Sequence, residues 1–592
     1  MSYLPELTSN SYNKSRTWQR VFNGLDLRKV IDDTCFSWEE NISSDAYPLL
    51  STRAKRGTVS TLTAPRGLAS KEALAWADNG KLYYNGLEVL SGLNSDPKTM
   101  ISMGAYLLVF PDKVYINTAD LTDKGSMERS FYTVTGTSVT YSLCNVSGDT
   151  YGTPTVDPTA PADPENGDLW LDTSMDTHVL NIWSEYTQMW NQVATTFVKI
   201  SATGIGEQFD DYDSVDLSGC TASGGIQSQI EALNGGAKII YKRDTDYIVV
   251  VGIIDQETIY TTDASSNIKI EQKVPDMDFV TECQNRLWGC KYGMTGGKYV
   301  NEIYCCALGD FRNWTRYLGL STDSYAASVG SDGEWTGAAT YNNSPYFFKE
   351  NHIHRVYVGQ NGGHQIVDYP MTAMGVKKGS GKSLGIVDGW LVYHSPRGFM
   401  RYDGSTPQAI GDGLTSMKMS DAVAGVIESK YYVSVREDAT HYHMLVWDSE
   451  TGTWNREDGT RVRDFAANGL ELYYIDYDTS KMMCVYGTQG TKESTVPWEV
   501  VTGVIGYDQP DNKYISRFNI RISALGQVNI YIQYDSSGTW VYKGSFNGQG
   551  RIRTDTVPIS PRRCDHLQIK ITGTDEARIV SVAKVLEAGS DG

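Results

Sequence analysis

Short runs of alternating apolar and polar residues, separated by glycine-rich turns, recur along most of the chain. The segment 444–454 is representative: a β-rich run ends in Asp448-Ser449, turns through Gly452 and resumes at Trp454. Aspartate and serine hydrogen-bond back to the turn backbone and glycine supplies a positive φ, so this pattern predicts a β-hairpin. The same pattern returns at 533–540. The chain is therefore predicted to be all-β.

The spacing of these hairpins indicates a β-propeller. Asn79-Gly80 and Asn85-Gly86 carry the strongest two-residue hairpin signal. Between 256 and 500, pairs of strands recur every ~40–60 residues, a period typical of four-stranded blades. We expect about six or seven blades, although the repeats are too degenerate for a firm count.

Breaks in this rhythm mark inserted modules. The stretch 152–168 carries four prolines and predicts a stiff linker. A compact module with an aromatic residue on each of three strands follows it, and then a unit with a helix at 225–233. The predicted organisation is an extended N-terminal segment (1–65), the first part of the propeller (66–150), a Pro-rich linker and small aromatic β insertion (151–202), a small α+β insertion (203–255), the remainder of the propeller (256–500) and a C-terminal β-sandwich (501–592). The C-terminal region alternates apolar and polar residues strictly, which indicates strands with one buried face and one solvent-exposed face.

The net charge and the lengths of the apolar runs limit the classes of function that the chain can have. The net charge of −19 argues against a nucleic-acid-binding surface, which needs clustered Lys and Arg, but it is compatible with DNA passing an acidic wall. No signal peptide is expected, and the run 247–254 is far too short for a membrane span. The nine cysteines lack paired metal-ligand spacing, so we expect buried free thiols in a protein folded in the cytosol.

Three motifs suggest ligands but lack essential parts. The run 379–383 resembles a phosphate loop, yet Val376 stands where that loop requires glycine and a strand is expected after it. The pairs His352/His354 and His441/His443 would share one strand face, but no third metal ligand is visible in the sequence. The acidic run 210–216 lacks the glycine turn and the closing glutamate of an EF-hand loop. No cofactor or metal is therefore expected.

Catalysis by paired carboxylates is the enzyme alternative, since propeller glycosidases place such groups in a central well. The carboxylates near predicted strand ends are Asp332, Glu334, Asp388, Asp403, Glu437 and Asp448. Most lie in turns, where aspartate has a structural role. No catalytic residue is assigned, and we expect a protein that is not an enzyme.

The module at 161–202 offers an adhesive alternative. Its tryptophans Trp170, Trp183 and Trp190 are candidates for contact with a glycan or a protein partner, since exposed aromatic rings stack on sugars. A small aromatic core built from the same residues is the other interpretation. The sequence leaves both open.

Several of these segments resemble known phage proteins. The run 161–173, with the later Trp183 and Trp190, is similar to a short insertion common in bacteriophage tail and fibre proteins. The stretch 278–458 and the segment 41–53 resemble virion proteins described as head–tail stabilisation or tail nozzle proteins. In the longer stretch the resemblance is carried by Cys290, Tyr304, Trp314, 347–350 and Lys382-Ser383.

The resemblance covers about two thirds of the chain. It implies a virion protein made in the host cytoplasm, a β-propeller subunit of a homo-oligomeric, commonly hexameric ring around the DNA exit channel. Its partners would be the portal or adaptor and the tail fibres, with DNA passing through without specific binding. The roles implied are DNA retention, ejection and fibre attachment. The Pro-rich insertion and the C-terminal region depart from a minimal nozzle and leave tail length open. A glycan-binding protein and a glycoside hydrolase are the alternatives.

Overall fold

The computed structural model describes residues 14–359, 363–507, 512–557 and 559–588. Over these ranges the chain is built almost entirely from β-strands, which confirms the all-β prediction. In the described ranges the helices are one α-helix, Gln227–Glu231, and three 3-10 turns, Gly224–Ile226, Gly381–Ser383 and Asp412–Leu414. None of the helices in the described part is long and apolar enough to cross a membrane.

Seven sheets, here called sheets 1 to 7, follow one another along the chain, and each is an antiparallel meander built around four strands. Their strands, in sheet order, are Pro65–Lys71, Ala73–Asp78, Lys81–Tyr84 and Leu87–Ser91 (sheet 1); Thr99–Met103, Tyr106–Phe110, Val114–Asn117 and Lys124–Ser126 (sheet 2); Phe279–Glu282, Leu287–Thr295, Lys298–Cys305 and Tyr325–Ser328 (sheet 3); Gly337–Tyr341, Ser344–Phe348, His352–Tyr357 and Gln365–Pro370 (sheet 4); Gly385–Val387, Trp390–Ser395, Gly398–Tyr402 and Gln408–Ala409 (sheet 5); Ser420–Ile427, Lys430–Arg436, Tyr442–Asp448 and Thr453–Asp458 (sheet 6); and Val462–Asn468, Glu471–Asp476, Lys481–Cys484, Gly57–Thr61 and the short edge strand Thr491–Lys492 (sheet 7).

Turn chemistry explains why these meanders form. Asn79 and Gly80 have φ of 50° and 74°, and Asn85 and Gly86 have φ of 50° and 81°. Two successive positive φ values define the type I′ turn, whose twist matches that of the flanking strands. The Asn-Gly hairpins predicted from the sequence are thus confirmed.

Sheet 7 joins the two halves of the chain. Its strand Lys481–Cys484 pairs with Gly57–Thr61, so an N-terminal strand occupies the fourth position of the sheet. The first strands of sheets 1, 2, 3 and 4 contact one another in that order. The 3-10 turn Gly381–Ser383, which precedes sheet 5, contacts the first strands of sheets 4 and 6. The first strand of sheet 7 contacts those of both sheet 6 and sheet 1.

Three further sheets lie between sheets 2 and 3 in the chain. They comprise Arg129–Tyr132, Lys269–Gln272, Ser214–Ser218 and Gly235–Ile239; Lys242–Asp244, Tyr247–Val251, Phe197–Ser201, Ser138–Cys144 and Thr258–Thr261; and Thr155–Asp157, Leu169–Asp172, Val179–Ser184 and Met189–Gln192. Their buried aliphatic residues form one core. Ser138–Cys144 therefore belongs with this insertion, although the sequence places it in the first part of the propeller. The Pro-rich run contains the strand Thr155–Asp157, which pairs with Leu169–Asp172.

Two terminal sheets combine both ends of the chain. One contains Lys14–Gln19, Ile42–Ser43, Leu50–Thr52, Ala577–Ala588, Lys513–Ala524 and Arg553–Val557, and the other contains Phe36–Glu40, Pro497–Thr502, Leu567–Thr574, Gln527–Tyr534 and Val541–Asn547. Their inward residues, such as Ile520, Ile530 and Ile571, form a single hydrophobic core. The N-terminal segment, expected only to be extended, contributes strands to both sheets.

A buried polar seam connects the N-terminal segment to sheets 6 and 7. The Arg56 guanidinium, which is 2% exposed, donates to Glu457 Oε2 at 2.5 Å, to Asp458 Oδ2 at 2.7 Å and to the Tyr474 hydroxyl at 3.1 Å. Burial alone would raise the pKa of Asp458, but Arg56 and Arg53 hold it near 2. The arginine therefore compensates charges that the fold has removed from water.

We expect Arg56→Met to destabilise this seam strongly. The substitution keeps the apolar volume but leaves Glu457 and Asp458 buried without their main cation, a situation that costs about 3–5 kcal/mol. Calorimetry should show a clear fall in melting temperature. Arg551→Met is the control, because Arg551 is exposed and, among the residues that the structure describes, its side chain hydrogen-bonds to the nearby Gln549. Equal melting temperatures for the two variants would contradict the assigned role of Arg56.

Candidate functional site

The three predicted tryptophans lie on one face of the sheet that spans 155–192. Trp183 pairs directly with Trp190 across the hairpin, and Trp170 pairs with Asn181, two residues before Trp183. Paired residues of antiparallel strands share a face, and so do residues two apart along a strand. The register therefore brings Trp170, Trp183 and Trp190 together, and we call this surface the tryptophan face.

Trp190 is the centre of the group. Its ring centroid lies 5.6 Å from that of Trp170 and 5.4 Å from that of Trp183, with interplanar angles of 63° and 62°. These are edge-to-face contacts, which fix the rings relative to one another. The Trp170 indole N–H also donates to the Asp157 carbonyl oxygen at 2.9 Å. All three side chains are half-buried.

The opposite face of the same sheet is the buried one. Leu171 and Leu180 pair with each other and are 0% and 1% exposed. Leu169 and Val193 pack beside them against the aliphatic core of the insertion. The core of this module is therefore aliphatic, and the tryptophans lie on the side that reaches solvent.

Polar groups and exposed apolar side chains surround the tryptophan face. Thr155, Asp157 and Gln192 are exposed and share the face through strand pairing. Tyr186, in the hairpin turn that precedes Trp190, is 97% exposed. An aromatic surface edged by amide, hydroxyl and carboxylate groups has the chemistry to stack on a sugar ring and hydrogen-bond its hydroxyls.

The candidate catalytic carboxylates have local structural partners. Asp403 accepts hydrogen bonds from the Ser405 backbone N–H and hydroxyl, as expected of a turn aspartate. Asp448 is buried and accepts from the Ser44 hydroxyl at 2.6 Å. Glu437 bonds to His443 at 2.8 Å.

The remaining candidates are found in loops and turns. Asp388 lies in the turn between two strands of sheet 5, at φ 45°. Asp332 and Glu334 lie in the loop between sheets 3 and 4, where they line a cavity of about 190 Å³ together with Lys349 and Lys378. Lys378 forms an ion pair with Glu334.

The acidic run 210–216 is a centre of ion pairs. Arg129 contacts Asp210 at 3.0 Å and Asp213 at 3.1 Å, and Lys242 contacts Asp211 at 2.8 Å. These cations occupy the carboxylates that a calcium ion would need. In the glycine-rich run 379–383, Lys382 pairs with Asp464 in the same way.

The two His-x-His pairs differ in their surroundings. His443 accepts a hydrogen bond from the Arg456 guanidinium at 2.9 Å, so a cation already faces this pair. His352 and His354 instead face Asp368 on the next strand, a neighbour that spacing along the chain could not reveal. Burial lowers the pKa of His354 to about 4, which keeps its imidazole neutral at neutral pH.

The cysteines are free thiols, and eight of the nine are buried. Burial raises the pKa of Cys305 to about 12 and of Cys144 to about 11. These thiols therefore stay protonated at neutral pH and pack as small apolar groups, as the sequence predicts.

Comparison with known proteins identifies no family. No family model matches the chain, and no curated protein matches it. An exo-β-1,3-galactanase from Phanerochaete chrysosporium, solved with β-1,3-galactotriose, is 9% identical with a TM-score of 0.22, over 52% of this chain and 94% of that one. A puromycin hydrolase is 10% identical with a TM-score of 0.21, over 71% of this chain and 61% of that one. Structural similarity at such low TM-scores does not indicate a shared fold or a shared activity.

Two substitutions on the strand Val179–Ser184 distinguish the tryptophan face from a core. Leu180→Ala should cost about 2–5 kcal/mol, because it opens a cavity in the buried aliphatic layer. Trp183→Ala should cost less, because the ring is only half-buried and its edge-to-face pair contributes about 0.5–1.5 kcal/mol beyond the area that the ring buries. Hydrogen exchange over 169–192 measures both. A larger loss of protection in the tryptophan variant would place the core on the other face.

Proposed function

We propose that sheets 1 to 7 form a closed seven-bladed β-propeller and that the terminal sheets form a β-sandwich. Two observations support the propeller. The first strands of successive sheets, with the 3-10 turn before sheet 5, form a run of contacts that returns from sheet 7 to sheet 1. An N-terminal strand also completes the last sheet, the arrangement that closes a ring without exposing an edge.

On this architecture we propose a structural role in a bacteriophage virion, as a nozzle-like ring around the DNA exit channel below the portal or adaptor. The observation that carries the proposal is the pairing of N-terminal strands with strands from the C-terminal part of the chain. The segments Phe36–Glu40 and Gly57–Thr61 pair with C-terminal strands, so propeller and sandwich are tied together by the same stretch of backbone. Such a body resists deformation, which suits a component under load.

Charge and sequence support the same role. With a net charge of −19, a channel wall made from this chain would repel DNA and let it pass without binding. Copies arranged head to tail would close under cyclic symmetry as a homo-oligomeric ring, commonly a hexamer in the resembling proteins. The resemblance of the segments 41–53 and 278–458 to nozzle proteins adds the virion location, and fibres would attach to the outer modules.

The test is to locate the chain in purified particles. Cryo-electron microscopy should place a ring of copies at the base of the neck or tail, on the path of DNA exit, and quantitative mass spectrometry should give one fixed copy number per virion. Particles assembled with the Arg56→Met variant should lose DNA more readily on heating, with the Arg551→Met particles as control. Absence of the chain from particles would overturn the proposal.

A second candidate function, glycan binding, rests on the tryptophan face. Three tryptophans locked edge to face, on the side of the sheet away from the core and beside exposed Asp157 and Gln192, form a ready surface for a sugar. Such a surface would let a tail component hold the host envelope during ejection. Glycan binding by the tryptophan face is compatible with the proposed ring and does not depend on it.

We expect the full-length protein to bind a subset of glycans on an array and to lose that binding in Trp183→Ala and Trp190→Ala. Trp18→Ala is the matched control, because Trp18 is 54% exposed and lies outside the module. Binding that survives in both module variants would overturn the assignment. Release of glycan fragments, reduced by substitution of Asp332 and Glu334, would instead favour the hydrolase alternative.

A further inference from the structure

A second cluster of potential ligand atoms lies on the last two strands of sheet 4. His352 and His354 are two residues apart on His352–Tyr357, and Asp368 pairs in register with His354 from the neighbouring strand. One ligand atom from each residue lies within 4.8 Å of the other two. The strand pairing, rather than a loop, therefore fixes the relative positions of these three side chains.

The distances are close to those of a metal coordination sphere. His352 Nδ1 lies 2.9 Å and His354 Nε2 lies 3.4 Å from Asp368 Oδ1. Two ligands bound tetrahedrally to Zn²⁺ at about 2.1 Å lie about 3.4 Å apart. His354 and Asp368 already have this separation, and His352 lies about half an ångström closer to Asp368 than a bound ligand would.

A fourth position is open to solvent. A cavity of about 420 Å³ borders the cluster and is lined by residues that include Ser331, Asp332, His352 and Asp368. The Ser331 hydroxyl lies 2.9 Å from His354 Nε2, and Ser331 also lines this cavity, so metal binding at Nε2 requires the hydroxyl to rotate away. Three protein ligands with one position left for water is the arrangement of an accessible zinc site.

The local charge favours a cation. His354 is fully buried and Asp368 is the carboxylate beside it, while Asp332 adds a second negative charge at the cavity. Lys349 is an opposing charge close to the cluster, and its Nζ donates to the Ser331 carbonyl oxygen at 2.8 Å and to Asn301 Oδ1 at 3.1 Å. The two carboxylates, Asp368 and Asp332, therefore outnumber the one ammonium group, Lys349.

The geometry points to a Zn²⁺-binding site formed by His352, His354 and Asp368, with water as the fourth ligand. Two imidazoles and one carboxylate suit zinc among the common divalent metals. The ion would link the third and fourth strands of sheet 4, His352–Tyr357 and Gln365–Pro370, next to the loop that connects sheet 3 to sheet 4. This site is separate from the tryptophan face, and its assignment does not depend on the proposed ring.

The test is metal binding by the full chain after treatment with a chelator. Calorimetric titration should show one Zn²⁺ per chain, bound at micromolar Kd or tighter, with a rise in melting temperature. Co²⁺ in place of Zn²⁺ should give the visible absorption of a tetrahedral site. His352→Ala and Asp368→Asn should each weaken binding by more than about 100-fold, since loss of an outer-shell partner alone costs about 10–100-fold.

Both substituted side chains reach the protein surface, so the variants should fold, and their melting temperatures without metal check this directly. His441→Ala is the matched control, because it removes one histidine of the other His-x-His pair and should leave the titration unchanged. Undiminished Zn²⁺ binding in His352→Ala and Asp368→Asn would overturn the site. So would failure of the wild-type protein to bind Zn²⁺.

Discussion

Backbone pairing between the two ends of the chain is the constraint on which the rest of this structure depends. Gly57–Thr61 supplies the fourth strand of a sheet whose other long strands come from beyond residue 461, and Phe36–Glu40 pairs with Pro497–Thr502. The loops closed by these contacts exceed 400 residues, and because closure entropy grows only with the logarithm of loop length, it costs about 5 kcal/mol, which contacts at the junction can offset. The buried seam around Arg56 lies at this junction.

The seam also explains why a chain with so many acidic residues can bury several of them. Glu39 accepts hydrogen bonds from the Arg456 backbone N–H and from Asn455, and its burial raises its pKa to about 8. Asp458 has the opposite environment and a pKa near 2, because two arginines face it. The N-terminal segment thus carries polar groups whose hydrogen-bonding partners lie on sheet 6.

Local pattern could predict the elements but not their long-range partners. Turn residues such as Asn79-Gly80 determine hairpins within a few residues, and so the all-β class and the meanders are readable from sequence. Nothing local to Gly57–Thr61 shows that its partner is Lys481–Cys484, because pairing of distant strands depends on the whole fold. For the same reason, the sequence could not show that Asp368 is a neighbour of His354. For the tryptophans, the residues were recognisable, but their common face required the register of three strands.

The insertion between sheets 2 and 3 is attached to the rest of the chain through paired strands and a buried side chain. Its first and last strands, Arg129–Tyr132 and Lys269–Gln272, pair with each other, so the chain leaves and returns at one place. Asn313, which is 1% exposed, sits in the segment after the third strand of sheet 3 and bonds to both Asp213 and Gln272. Paired strands and a buried amide therefore anchor the insertion beside sheet 3. Under the proposed glycan-binding role, these contacts would carry the force of a bound ligand from the tryptophan face to sheet 3.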